Sequence, residues 1–122
     1  MIAAFFVFLG GGIGAVLRYL ISKCTLLFYK GQFPLSTLFS NVLSCIIVGL
    51  FLTALSASKS INPNVKIFVL IGLCGGLSTF STFSLETIQL LKSGNYYWAF
   101  ANILLSIVVC FGLLTIFYKK LV

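Results

Sequence analysis

The sequence predicts an all-α, polytopic membrane protein whose single domain, residues 1–122, consists of four transmembrane helices with a break in the third. Three observations predict it. First, 61% of the residues are hydrophobic, only 7% are charged, and the mean hydropathy is +1.20. A soluble domain carries about 25% charged residues, so a lipid bilayer must be the solvent for most of this surface. Second, four apolar stretches, each longer than the roughly 20 helical residues a bilayer requires, alternate with short polar breaks. Third, Tyr96, Tyr97, Trp98, Tyr118 and most of the Lys residues stand in loops or at the ends of those stretches, where the headgroups lie.

The first stretch runs from Ile2 to Phe28 and carries Arg18 and Lys23 in its second half. Its start lacks the basic segment and small-residue cleavage site of a secretory signal, so the first residues are expected to open the helix. The run Gly10-Gly11-Gly12-Ile13-Gly14-Ala15 has neither the preceding strand nor the Lys of a nucleotide loop. Gly10 and Gly14 form a G-x-x-x-G pair, which lets two helices approach closely. An Arg at membrane depth is costly and placed for a reason. Arg18 is expected to anchor the helix end, and to draw anions into a vestibule as a side benefit.

After the loop from Tyr29 to Pro34, the second stretch spans Leu35 to Ala57. Asn41 lies inside it, with Thr37 and Ser44 on the same face by i−4 and i+3 spacing. Two readings of Asn41 stand: it glues helices together, or it donates an amide N–H to an anion. The residue alone favours the first.

A polar turn from Ser58 to Asn64, with Pro63 read as helix-ending, leads to the third stretch, Val65 to Leu91. Its middle reads Gly72-Leu73-Cys74-Gly75-Gly76-Leu77-Ser78-Thr79-Phe80-Ser81-Thr82-Phe83-Ser84. Paired glycines and a run of hydroxyl residues are poor helix formers, so the helix is expected to break here. A break frees backbone carbonyls, which is tolerated at membrane depth only where protein, water or an ion satisfies them. Free carbonyls suit a hard cation such as Na+. Beyond the break, Phe80 and Phe83 share a face, Ser81 and Ser84 form a polar one, and Thr79 and Thr82 add hydroxyls. The plainer reading is a kink with the hydroxyls bonded back to their own helix. A Phe ring nevertheless has a positive edge, and such edges with hydroxyl and amide donors replace part of an anion's hydration shell without a trapping charge. Glu86, the only acid, is either an intramembrane proton or cation site or an interfacial partner of a Lys.

The loop Lys92 to Asn95 precedes the last stretch, Tyr96 to Tyr118, which closes on Lys119 and Lys120. Tyr96, Tyr97, Trp98 and Tyr118 read as interfacial anchors. Asn102, Ser106 and Cys110 make one stripe at i, i+4, i+8, which either packs on the third helix or lines the same pathway. The four cysteines form no C-x-x-C and there is no His, so no zinc site or disulfide framework is expected, and small apolar packing is the reading for each.

The net charge of +7 comes from Lys residues in loops and at helix ends, which suits headgroups and snorkelling. No basic cluster or RNA-reading motif indicates nucleic acid. With four helices both termini share a side, together with Lys59, Lys66, Lys119 and Lys120. Lys30 and Lys92 lie opposite with Lys23 nearby, which makes four against three, or four against four if Arg18 is counted there. The bias is nearly nil. Either the N-terminus decides the orientation, or the chain inserts both ways and an antiparallel dimer supplies the inverted symmetry that many transport proteins hold within one chain. Four helices barely enclose a pathway, so at least a dimer is expected.

Gly12-Ile13-Gly14-Ala15 with Arg18-Tyr19, Asn41 in the second helix, and Gly75-Gly76-Leu77-Ser78-Thr79-Phe80-Ser81-Thr82-Phe83 together resemble the Fluc/CrcB fluoride channels. The resemblance spans essentially the whole chain. It implies a multi-pass protein of the inner (plasma) membrane that is no enzyme and passively exports toxic fluoride. It further implies an antiparallel, dual-topology homodimer with two pores and a central Na+. On this resemblance Gly75 and Ser78 offer backbone carbonyls to Na+, Phe80, Phe83 and Asn41 line the fluoride pore, and Arg18 matches the family's first-helix Arg. Ser81, Thr82 and Ser106 belong to a polar track. Asn102 stands where a Tyr can occur, and Cys110 where a Ser can occur. The alternative is a small proton-coupled multidrug exporter, but that needs a deep acid in the first helix, where this chain has Arg18. A non-transporting membrane subunit is the third reading, and only the polar break argues against it.

Overall fold

The computed structural model describes residues 1–58 and 60–121; Lys59, counted above on the side of the termini, lies outside them. Among the described residues, four helical runs are long and apolar enough to cross a membrane. Helix α1 is Ile2–Phe28 and helix α2 is Leu35–Ala57. The third run is composite: α3 (Pro63–Ile67), a π-helical turn (Phe68–Leu73), α4 (Cys74–Leu77) and α5 (Phe80–Lys92). The fourth is α6, Tyr96–Leu121.

Pro63 starts a helix rather than ending one. Helix α2 stops at Ala57, and Pro63 occupies the first turn of α3, where its missing N–H costs nothing. The Asn62 side chain caps that turn by accepting the Asn64 N–H at 2.9 Å. At the far end of the run Gly94 takes φ of +82°, and the Asn95 N–H closes on the Leu90 carbonyl at 2.9 Å. This left-handed C-terminal turn swings the chain straight into α6.

Few apolar side chains are buried: Phe33, Cys74, Leu77, Leu90 and Ala99 are the apolar members, beside the polar Thr37, Ser40, Ser44, Thr87, Asn102 and Ser106. Large apolar side chains instead cover the outside, including Phe8, Phe100, Leu104 and Phe111. That inversion follows from the solvent. With lipid outside, apolar burial drives little, and close packing with interhelical hydrogen bonds holds the helices together.

Glycine makes the closest contact, between α1 and the third run. A Cβ on Gly14 would strike the Leu73 carbonyl and come within 2.8 Å of the Leu77 N, and one on Gly76 would strike the Gly11 carbonyl. Gly10 and Gly72 face each other in the same way, so the G-x-x-x-G pair seats α1 directly on the backbone that leads into the break. Overpacking here costs about 1–3 kcal/mol or more. Gly14→Val is therefore expected to cut the yield of monodisperse, detergent-solubilised protein several-fold. Gly12→Val, whose Cβ meets nothing within 4 Å, should leave it unchanged. Equal size-exclusion profiles for the two variants would show that the seam does not matter.

Candidate functional site

Between α4 and α5 the chain leaves the helix for two residues. Ser78 (φ −82°, ψ 154°) and Thr79 (φ −151°, ψ 121°) are extended. An unbroken helix would send the Thr79 N–H to the Gly75 carbonyl. It goes to Asn41 Oδ1 instead, at 2.8 Å, while Asn41 Nδ2 donates to the Thr79 carbonyl at 3.4 Å. One amide side chain thus meets both backbone groups of an extended residue, which satisfies them at membrane depth. Thr79 also caps α5, its Oγ1 accepting the Thr82 N–H at 3.2 Å.

The carbonyls of α4 are divided among several partners. Cys74 O accepts from the Ser78 N–H (3.0 Å), the Ser78 hydroxyl (2.7 Å) and the Ser44 hydroxyl (3.1 Å). Gly76 O accepts from Arg18 Nε at 3.1 Å. Arg18 thus ties α1 to the last turn before the break. No hydrogen bond from the described residues reaches the Gly75 or Ser78 carbonyl. Gly75 is exposed, and a Cβ placed on it would meet nothing within 4 Å.

Two cavities meet at Thr79. One, of about 280 Å3, lies between α2, α5 and α6 and is lined by Asn41, Ser78, Thr79, Phe80, Phe83 and Ser106, with Cys45 and Cys110 on its wall. The Phe80 and Phe83 rings stand 5.7 Å apart at 38°, and Phe80 is 80% exposed. The other, of about 370 Å3, is polar and holds Arg18, Thr37, Ser40, Thr79, Thr82 and Glu86. The Thr37 hydroxyl donates to the Glu86 carboxylate across it. A third hollow, of about 500 Å3, opens beside the loop between α1 and α2 and shares Ser22, Ser36 and Glu86 with the second. The three spaces share lining residues in series: Ser22, Ser36 and Glu86 between the third and the second, and Thr79 between the second and the first.

The structure groups Asn41, Phe80, Phe83 and Ser106 around one cavity and puts Thr82 and Arg18 in the next. Ser81 lines neither; it is exposed, with its Oγ 3.4 Å from Thr79 Oγ1. Asn102 is fully buried behind the wall, donating to Thr87 Oγ1 at 2.9 Å, and Thr87 bonds the Phe83 carbonyl at 2.8 Å. Ser106 reaches Asn102 Oδ1 at 3.5 Å. The α6 stripe thus does both jobs: Asn102 braces α5, while Ser106 and Cys110 face the cavity.

Sequence reasoning left Glu86 open between two roles, and neither has it bonded to Thr37. That partner was legible only as a polar residue one turn before Asn41. Cys45 was read as packing, yet it stands one turn after Asn41, on the face that lines the cavity. The i+4 spacing from a candidate residue was the available signal.

The sequence profile of the family described as CrcB-like protein, Camphor Resistance (CrcB), matches residues 5–117. A protein of Phocaeicola vulgatus is 47% identical over 103 residues, 84% of this chain and 84% of its own length. One of Flavobacterium psychrophilum is 43% identical over 103 residues, 84% of this chain and 83% of its own. One of Serratia proteamaculans is 46% identical over 102 residues, 83% of this chain and 79% of its own. All three are named fluoride-specific ion channel FluC.

Proposed function

The chain belongs to the CrcB family, and from that premise we propose that it is a fluoride-selective channel through which toxic fluoride leaves the cell passively. The observation that carries the reading is the cavity at the helix break, lined by an amide side chain, hydroxyl residues and two phenylalanine rings, with no fixed positive charge. Fluoride is small and strongly hydrated. Many weak neutral donors compensate dehydration without holding the ion so tightly that it cannot leave.

In this reading Arg18 biases the polar cavity toward anions, and its bond to Gly76 fixes the break. Thr82 and the Thr37–Glu86 pair line the approach. At Thr79 the ion passes to Asn41, whose Nδ2 bond to the Thr79 carbonyl is long at 3.4 Å and easily exchanged for an anion. Phe80, Phe83 and Ser106 take it onward, and Ser81, exposed beside Thr79, extends the hydroxyl track.

The working unit proposed is an antiparallel, dual-topology homodimer with two pores in the inner membrane. The nearly balanced charges support it, as does the exposure of Phe80 and Gly75 on the single chain. A Na+ ion at the dimer axis fits the donors present. The Gly75 and Ser78 carbonyls are hard oxygen ligands without an internal partner. Bound there, Na+ would supply positive charge to carbonyls from both copies and so hold the halves together. The multidrug-exporter alternative is not favoured, since relatives matching most of the chain are named for fluoride.

The test is fluoride efflux from liposomes holding the purified protein, with Na+ present and chloride as the control. Fast efflux of fluoride alone, without a proton gradient, is the expected outcome. No efflux from well-folded protein would end the channel reading.

A further inference from the structure

The wall of the phenylalanine cavity carries a chemistry that anion passage does not use. Cys45 follows Asn41 by one turn of α2, and Cys110 follows Ser106 by one turn of α6. Both thiols are free and half-buried, and both line the same cavity, one from α2 and one from α6, two helices that pack directly against each other. Thiolates are soft ligands that select soft ions over Na+ or Mg2+. No group of three or more His, Cys, Asp or Glu among the described residues is arranged to hold a metal, which rules out a tetrahedral zinc-type site there. Linear coordination needs only two sulfurs facing each other.

We propose that Cys45 and Cys110 form a two-thiol site for a soft metal ion of linear, two-coordinate preference, and that filling it closes the cavity beside Phe80 and Phe83. Each thiol gives its proton to water in the cavity and forms one sulfur–metal bond, with no change of oxidation state. A divalent soft ion such as Hg2+ then leaves a neutral bis-thiolate, the charge state that a low-dielectric wall accepts most cheaply. The ion cross-links α2 to α6 across the space where Asn41 and Ser106 face it. The binding step stands on the cavity wall that the two cysteines share, whereas the closing step rests on the channel reading.

The probe is mercuric chloride, added to purified protein carrying Cys24→Ser and Cys74→Ser, so that only the pair remains. Bound mercury is counted after gel filtration, free thiols are titrated, and fluoride efflux is read from liposomes. The expected result is one mercury per chain, loss of both thiols at one equivalent, and at least a tenfold fall in efflux that excess dithiothreitol reverses. Cys45→Ser/Cys110→Ser should abolish all three effects. Two mercury ions per chain, one per thiol, would overturn the site, and one mercury with unchanged efflux would overturn the closure. If the Cys24→Ser/Cys74→Ser protein does not fold, the difference between wild type and Cys45→Ser/Cys110→Ser gives the same ratio, one mercury for two thiols. Absence of efflux before any metal is added would overturn the channel reading and with it the closure, while the mercury count would still decide the site.

Discussion

Fluoride efflux should fall by about 5- to 150-fold when Phe80 and Phe83 are both replaced by Ile. Isoleucine keeps the bulk and apolarity of the position but has no ring and so no positive edge. If each ring edge contributes on the scale of an aromatic pair, about 0.5–1.5 kcal/mol, losing both raises the barrier by about 1–3 kcal/mol, which gives that range of rates. The fold should tolerate the change. Phe80 is 80% exposed, so little packing depends on its ring. The measurement is efflux from liposomes at matched protein density, with size-exclusion chromatography confirming intact protein. A double variant that is monodisperse and transports at the wild-type rate would remove the rings from the mechanism and restore the reading of a membrane subunit that merely scaffolds.

Asn41 should separate structure from transport, because its amide does two things. Its Oδ1 accepts the Thr79 N–H at 2.8 Å, and its Nδ2 makes only a long, 3.4 Å bond to the Thr79 carbonyl at the cavity wall. Asn41→Leu removes both. An orphaned Thr79 N–H at membrane depth costs about 1–3 kcal/mol, so this variant should lose thermal stability in detergent as well as transport. Asn41→Asp keeps an acceptor for Thr79 but puts a carboxylate where an anion must pass. It should therefore stay folded and lose efflux by at least an order of magnitude, on the scale of about 1.4 kcal/mol per factor of ten. Thermal melts and efflux on the two variants together check this. Normal efflux in a well-folded Asn41→Asp protein would confine Asn41 to holding the break.

Both variants depend on a distinction that one dimension of sequence does not carry. The run of hydroxyl residues after Gly75-Gly76 marks a weak point in a helix, but every one of those side chains can bond back to its own turn. Some do: Ser78 bonds Cys74 O, Ser84 bonds Phe80 O, and Thr87 bonds Phe83 O. Thr79 does not: its N–H goes to Asn41 of another helix and its Oγ1 accepts the Thr82 N–H to cap α5, so the chain opens at Ser78 and Thr79. Glu86 shows the same limit. Its place late in the third stretch was readable, but its depth stayed open between mid-membrane and interface, and the Thr37 hydroxyl that engages it comes from α2, 49 positions away.

The sequence by itself determined the solvent and the segments. Apolar stretches punctuated by Gly, Pro, Asn and Lys allow only helices across lipid, since each backbone group must be satisfied within its own segment, and the bounds of α1 and α2 follow directly. It also marked Gly10 and Gly14 as a face for close approach, while Gly72 and Gly76, read only as part of the break, proved to be the backbone that this face meets. What the tertiary structure alone decided is which polar side chains of different helices meet. Helical periodicity places a side chain on a face but says nothing about the rotation of that face toward its neighbours. In lipid, with little apolar burial to set that rotation, it is settled by a few interhelical hydrogen bonds: Asn41 to Thr79, Arg18 to Gly76, Thr37 to Glu86 and Asn102 to Thr87.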